Sequence, residues 1–134
     1  MKKLLSLSCL LFVCIVSFAQ NSNTTRTPSI RVQLGNIKGE VGSIAQVLAN
    51  PGMVVVSQNS ADTIVDYYIS YVFKDANAAG NYIGPYRVKG AKFPPNVLND
   101  LKSMRAGRII IEHLRARSDG QVRSFGDLNV TIKD

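Results

Sequence analysis

A chain of 134 residues with a hydrophobic fraction of 46% has room for one small domain and for no second core. Its formal net charge is +7, and a basic surface suits an acidic protein, an anionic lipid or an anionic polymer, and outside the cytoplasm it suits these better than chromosomal DNA. Both cysteines, Cys9 and Cys14, fall near the N-terminus, so the rest of the chain is excluded from disulfide scaffolds, thiolate catalysis and cysteine metal sites.

Residues 1–19 read as a secretory signal peptide. Lys2 and Lys3 form a short basic start, Leu4 to Phe18 is apolar, and Ser17 and Ala19 are the small residues of a cleavage site before Gln20. The apolar run, about fifteen residues, is shorter than the roughly twenty of a membrane-spanning helix, so no transmembrane segment is expected after cleavage. The expected address is therefore export, with the periplasm first and the outer surface or the medium as alternatives. Cleavage would remove two lysines and no acids, leaving fourteen basic and nine acidic residues. Residues 20–29 are polar and aperiodic and read as a disordered leader, which leaves residues 30–134 as a single domain.

Ile30 to Leu34 alternates apolar and polar residues, the pattern of a half-buried strand. Gly39 and Gly42 bracket an irregular crossing, and Ser43 is placed as the N-cap of a short helical turn over residues 43–49. Asn50-Pro51-Gly52 stops that turn. Met53 to Ser57 is a β-branched run read as a buried strand. Val65 to Lys74 is the clearest strand: Val65, Tyr67, Ile69, Tyr71 and Phe73 are placed on the core side, Asp66, Tyr68 and Ser70 on the other. Residues 75–84 read as a loop of small residues, and Tyr86 to Lys89 as a short strand.

Pro94-Pro95 opens an amphipathic helix over residues 94–105, with Val97, Leu98, Leu101 and Met104 as its apolar stripe and Gly107 as the residue that ends it. Arg108 to Arg117 is a strand whose alternation slips: Ile109, Ile110 and Ile111 are consecutive, while Leu114 and Ala116 are in phase with Ile110. The slip predicts either burial on both faces at the start or a bulge near Glu112-His113. Asp119-Gly120 is a hairpin turn. Leu128, Val130 and Ile132 then alternate with polar residues in a final strand. About seven strands punctuated by Gly, Pro, Asn and Asp, with one helix and one helical turn, predict a mainly β, immunoglobulin-like sandwich.

Catalysis finds little support. His113 is the one histidine, and in a regular strand Glu112 and His113 point to opposite faces, so they make no acid–base pair. Asp62 and Asp66 lack a calcium-loop pattern. No catalytic residue, metal ligand or cofactor is assigned. Between Arg87 and Arg123, nine basic residues stand against three acids. Six of them form the expected partner-binding patch: Arg115, Arg117 and Arg123 on the hairpin, with Arg87, Lys89 and Lys92 near them in sequence. The partner expected is a protein, not nucleic acid, and a homodimer stays open. An anionic polymer or glycan, met by Tyr82, Tyr86 and the basic residues, is the alternative.

The stretch G-A-K-F-P-P-N-V-L-N-D-L-K-S-M-R-A-G-R-I-I-I-E-H-L-R-A-R-S-D-G-Q-V-R, from Gly90 to Arg123, resembles the C-terminal domain of the GldM (PorM) family of the gliding-motility and type IX secretion apparatus of Bacteroidetes. Leu48-Ala49-Asn50-Pro51-Gly52-Met53-Val54 and Tyr67 to Phe73 fit the same domain, so the resemblance spans roughly residues 30–134. It implies a non-enzymatic periplasmic β module that works by protein–protein contact within a secretion or gliding machine. Members of that family carry an inner-membrane helix and further domains ahead of this one, whereas here a cleavable signal peptide is expected to lead straight into it.

Overall fold

The computed structural model describes residues 30–57, 59, 61–74 and 80–134. The expected signal peptide, the leader and residues 75–79 of the expected loop lie outside the described residues. The rest is mainly β with two helices, a β-sandwich-like fold. In chain order the elements are β1 (Arg31–Leu34), β2 (Val41–Gly42), α1 (Ile44–Ala49), β3 (Met53–Val56), β4 (Thr63–Phe73), β5 (Tyr82–Lys89), α2 (Pro95–Ser103), β6 (Gly107–Ser118), β7 (Gln121–Ser124) and β8 (Leu128–Ile132).

The two sheets are unequal. One runs β2-β8-β6-β4-β5, with β7 paired beside β8 on the same side of β6; the other is the antiparallel ribbon β1-β3. The long central strands β4 and β6 pair from Thr63↔Arg117 to Phe73↔Gly107. The six strands traced along the sequence are all present among the described residues, and a seventh, β7, is the returning arm of the hairpin expected at Asp119-Gly120. The eighth, β2, forms in the crossing that the sequence left irregular. It is held parallel to β8 by the Thr131 amide donating to the Glu40 carbonyl (2.7 Å) and the Lys133 amide donating to that of Gly42 (2.9 Å).

One face of the large sheet carries the core. Tyr67, Ile69 and Tyr71 of β4, Ile109, Ile111 and Leu114 of β6, and Val130 and Ile132 of β8 are all buried there. Val97 and Leu101 of α2, Val47 of α1, and Leu34 and Met53 of the ribbon join them in one cluster. Each fully buried side chain of this size contributes roughly 1.5–3 kcal/mol, so the helices and the ribbon are held by the apolar stripe they lay on the sheet. Two tyrosine hydroxyls tie the layers together. Tyr71 donates to Asp100 of α2 and Tyr67 donates to the Ala91 carbonyl at 3.0 Å, which satisfies each polar tip at the edge of the core.

The helix ends follow their residues. Ser43 caps α1 reciprocally with Gln46: its amide donates to Gln46 Oε1 (2.9 Å) and its Oγ accepts from the Gln46 amide (3.4 Å). α2 starts on the proline pair but ends at Met104, whose amide donates to the Leu101 carbonyl. Gly107 is therefore not the terminating residue expected of it. It opens β6 with φ 154°, packed so closely on β4 that a Cβ would collide with the Val72 carbonyl oxygen.

Three further expectations change. β5 begins at Tyr82 and not at Tyr86, with Pro85 inside it; a proline is tolerated there because β5 lies at the edge of the sheet and needs no ladder donor on its outer side. β3 is only half-buried, from Met53 inside to Val56 outside, because it pairs with β1 alone. Val65 is not the core residue of its turn: Ile64 is, after a slip in the β4–β6 register between Ile64 and Asp66.

Candidate functional site: a basic face on the large sheet

The face of the large sheet opposite the core is where the charged residues gather. Directly paired residues of an antiparallel ladder project to the same side. The register Asp66↔Arg115, Asp66↔Lys89, Tyr68↔Arg87 and Thr63↔Arg117 thus puts Arg87, Lys89, Arg115 and Arg117 on one surface around Asp66. Four of the six expected patch residues are brought together in this way. Arg123 is not: it pairs with Ala116, which is buried in the core, so the register turns Arg123 to the other side. Nor is Lys92, which sits in an isolated bridge to Gly52 beside the ribbon.

The centre of this face is a carboxylate that belongs to no patch read from the sequence. Asp66 is 6% exposed. Its Oδ1 accepts from Arg115 Nε (2.6 Å), and its Oδ2 accepts from Arg87 Nη2 (2.9 Å) and from Arg115 Nη2. The side chains of Arg87 and Arg115 are about half exposed, at 51% and 45%. Hydrogen bonds from Arg115 and then Arg87 hold the Asp66 carboxyl far below the usual carboxylate range, against the opposing effect of burial. The same bond raises Arg115 further above its ordinary value. Asp66 is therefore an anion at any physiological pH, and the fork it makes with Arg115 is the bidentate geometry that fixes a guanidinium in one orientation.

A shallow depression of about 400 Å³ opens over this cluster, lined by Asp66, Tyr68, Arg87, His113, Arg115, Ser124, Phe125 and Asp127. The expected irregularity at Glu112-His113 is a bulge. The pairs Tyr68↔Glu112 and Asp66↔Arg115 leave two residues of β6 against one of β4, and His113 has φ 51°. The simple alternation that would separate Glu112 from His113 does not hold there. His113 meets the outward ring of Tyr68 edge-on, with centroids 5.8 Å apart, and its amide donates to Asp127 Oδ1 at 3.4 Å.

Asp66 carries little signal of its own: alternation turns it away from the core side, and it becomes the centre only through the register that sets Lys89 and Arg115 opposite it. The residues that join it from the β7–β8 connection, Phe125 and Asp127, had none, since their approach depends on how that connection folds back. Among the described residues, no three His, Cys, Asp or Glu side chains come together as a metal site, and no helix is long and apolar enough to cross a membrane. Comparison with protein-family models, with curated proteins and with solved structures finds no match to this chain.

Proposed function

We propose that the chain is a non-enzymatic, exported protein–protein interaction module, akin to the GldM C-terminal domain and working with gliding or type IX secretion machinery in the periplasm. The observation that carries this reading is the outward face of the large sheet, on which four cations stand on paired strands around one buried carboxylate. Strands hold side chains with little freedom left to lose, so a contact there costs less ordering than one made by loops. Charges arranged in this way steer and orient an acidic partner surface.

Cross-linking of the tagged chain in intact cells, followed by purification and mass spectrometry, tests the proposal. Recovery of secretion or gliding components, reduced by Arg115→Glu and Arg117→Glu together, is the expected result. Recovery of none of them, with binding to an anionic glycan or polymer that fades steeply with salt, would replace this reading with the polymer-binding one.

A further inference from the structure

We infer that the depression over Asp66 is a recognition site for a side-chain carboxylate of an acidic peptide segment, gripped between Arg87 and Arg115. This rests on the reading of the face as a protein-contact surface and adds the chemistry of what it grips. Each guanidinium has five N–H donors. Arg115 uses two on Asp66 and Arg87 uses one, so most donors of the pair remain for a second acceptor. Both side chains are about half exposed and line the same depression. Because one Nη2 from each converges on Asp66 Oδ2, the two guanidiniums are held side by side, a spacing suited to one incoming carboxylate.

Asp66 is in this view a positioning residue. It does not touch the ligand; it spends its own charge to lock two flexible cations in place before binding, which lowers the ordering cost of the contact. The surroundings favour a carboxylate on a peptide over a polyanion. Glu112 is paired with Tyr68 next to the cluster, Asp127 lines the depression, and Arg123 and Lys92 lie elsewhere. Lys89 and Arg117 share this face, but acids interrupt the positive field at the depression itself, whereas a polyanion is favoured by a broad unbroken one. Tyr68 and Val122, 37% and 47% exposed, lie on the same outward side through the pairs Tyr68↔Arg87 and Arg117↔Val122 and offer apolar contact to the residues beside the acid.

The test is an NMR titration of the isotope-labelled chain at low salt with the blocked tripeptide acetyl-Glu-Leu-Glu-amide, its Gln-Leu-Gln counterpart and inorganic polyphosphate. The Glu peptide is expected to shift the Arg87 and Arg115 Nε–H signals and the amides of Tyr68 and Ser124, and the Gln peptide to leave them in place. Asp66→Asn is expected to weaken the Glu peptide about fivefold, although it makes the site more positive, because the fork geometry is lost. Tighter binding by Asp66→Asn would mean diffuse attraction and overturn the inference, as would equal binding of the Gln peptide, or polyphosphate outcompeting the Glu peptide at equal charge.

Arg87→Lys keeps the charge but not the planar guanidinium. It is expected to weaken the Glu peptide about threefold, and it decides the matter if Asp66→Asn fails to fold: unchanged affinity would refute the grip. If the peptide binds as described while cross-linking recovers no machine component, the proposed function fails and the site stands. If machine components are recovered but the Glu peptide does not bind, the site fails and the proposed function stands.

Discussion

Gly107→Ala is the sharpest single test of how β4 and β6 are joined. Gly107 has φ 154°, and a Cβ there would collide with the Val72 carbonyl oxygen, with the Val72 carbonyl carbon at 3.1 Å and Phe73 Cα at 3.3 Å. Its neighbours are backbone, so no side chain can swing away. Holding a non-glycine residue in such a conformation costs roughly 1–3 kcal/mol, and forcing the strands apart adds roughly 1–3 kcal/mol more. A domain of this size has about 5–15 kcal/mol of stability in total. At about 4–8 °C per kcal/mol, the substitution should lower Tm by at least about 8 °C.

Two other glycines separate the contributions. Gly120 has φ 73° but open space around it, so Gly120→Ala should cost only the backbone part, about 1–2 kcal/mol. Gly126 has neither a positive φ nor a neighbour within 4 Å, so Gly126→Ala should be neutral or stabilising by about 0.4–1 kcal/mol. Urea unfolding followed by circular dichroism measures all three. If Gly107→Ala costs no more than Gly120→Ala, the close approach of β6 to Val72 does not constrain the joining of β4 and β6.

Leu101→Ala removes a fully buried side chain from α2 and should cost about 2–5 kcal/mol in the same urea assay; a loss below 1 kcal/mol would show that α2 does not pack as described. Asp66 has a depressed pKa, so its contribution is complete above the ordinary Asp value of about 3.9 and is lost as pH falls below it. Thermal melts from pH 6 to pH 2 should therefore show a steeper acid decline for the wild type than for Asp66→Asn. Burial raises the pKa values of Tyr67 and Tyr71, for Tyr71 with added help from Asp100. Their contribution is complete below the ordinary tyrosine value of about 10 and is lost as pH rises above it. Tyr67→Phe should flatten that alkaline decline in melts above pH 10.

Much of the framework was legible because the residues that set it act locally. Ser43, Pro94-Pro95 and Asp119-Gly120 each fix an end or a turn through their own backbone chemistry. The helix stripe and the final strand show their periods undisturbed, and Val97, Leu101, Met104, Val130 and Ile132 are buried accordingly. What escaped reading depends on partners distant in sequence. Gly107 looked like a helix terminator because its role is set by Val72, and β5 looked shorter because a proline inside a strand is excused only by an edge position. Half of the site was legible in the same sense. The arginines announced themselves by charge, but their grouping is decided by register, which admits Arg87 and Arg115 and turns Arg123 away.

Register also explains why the site and the core are one decision of the fold. If alternation continued unbroken along β6 from Ile109 and Ile111, the inward positions would be His113, Arg115 and Arg117, with Leu114 and Ala116 facing solvent. The single extra residue at His113 reverses every later position, so Leu114 and Ala116 are buried and Arg115 arrives opposite Asp66. β4 answers with its own extra residue at Val65, which returns Ile64 to the core across from Ala116 and leaves Thr63 beside Arg117 on the outside. Either slip alone would bury a cation or expose an isoleucine. The strain of a positive φ at His113 is thus held in place by the whole hydrophobic layer beneath it. That same layer holds the two guanidiniums over Asp66 without any loop having to order itself.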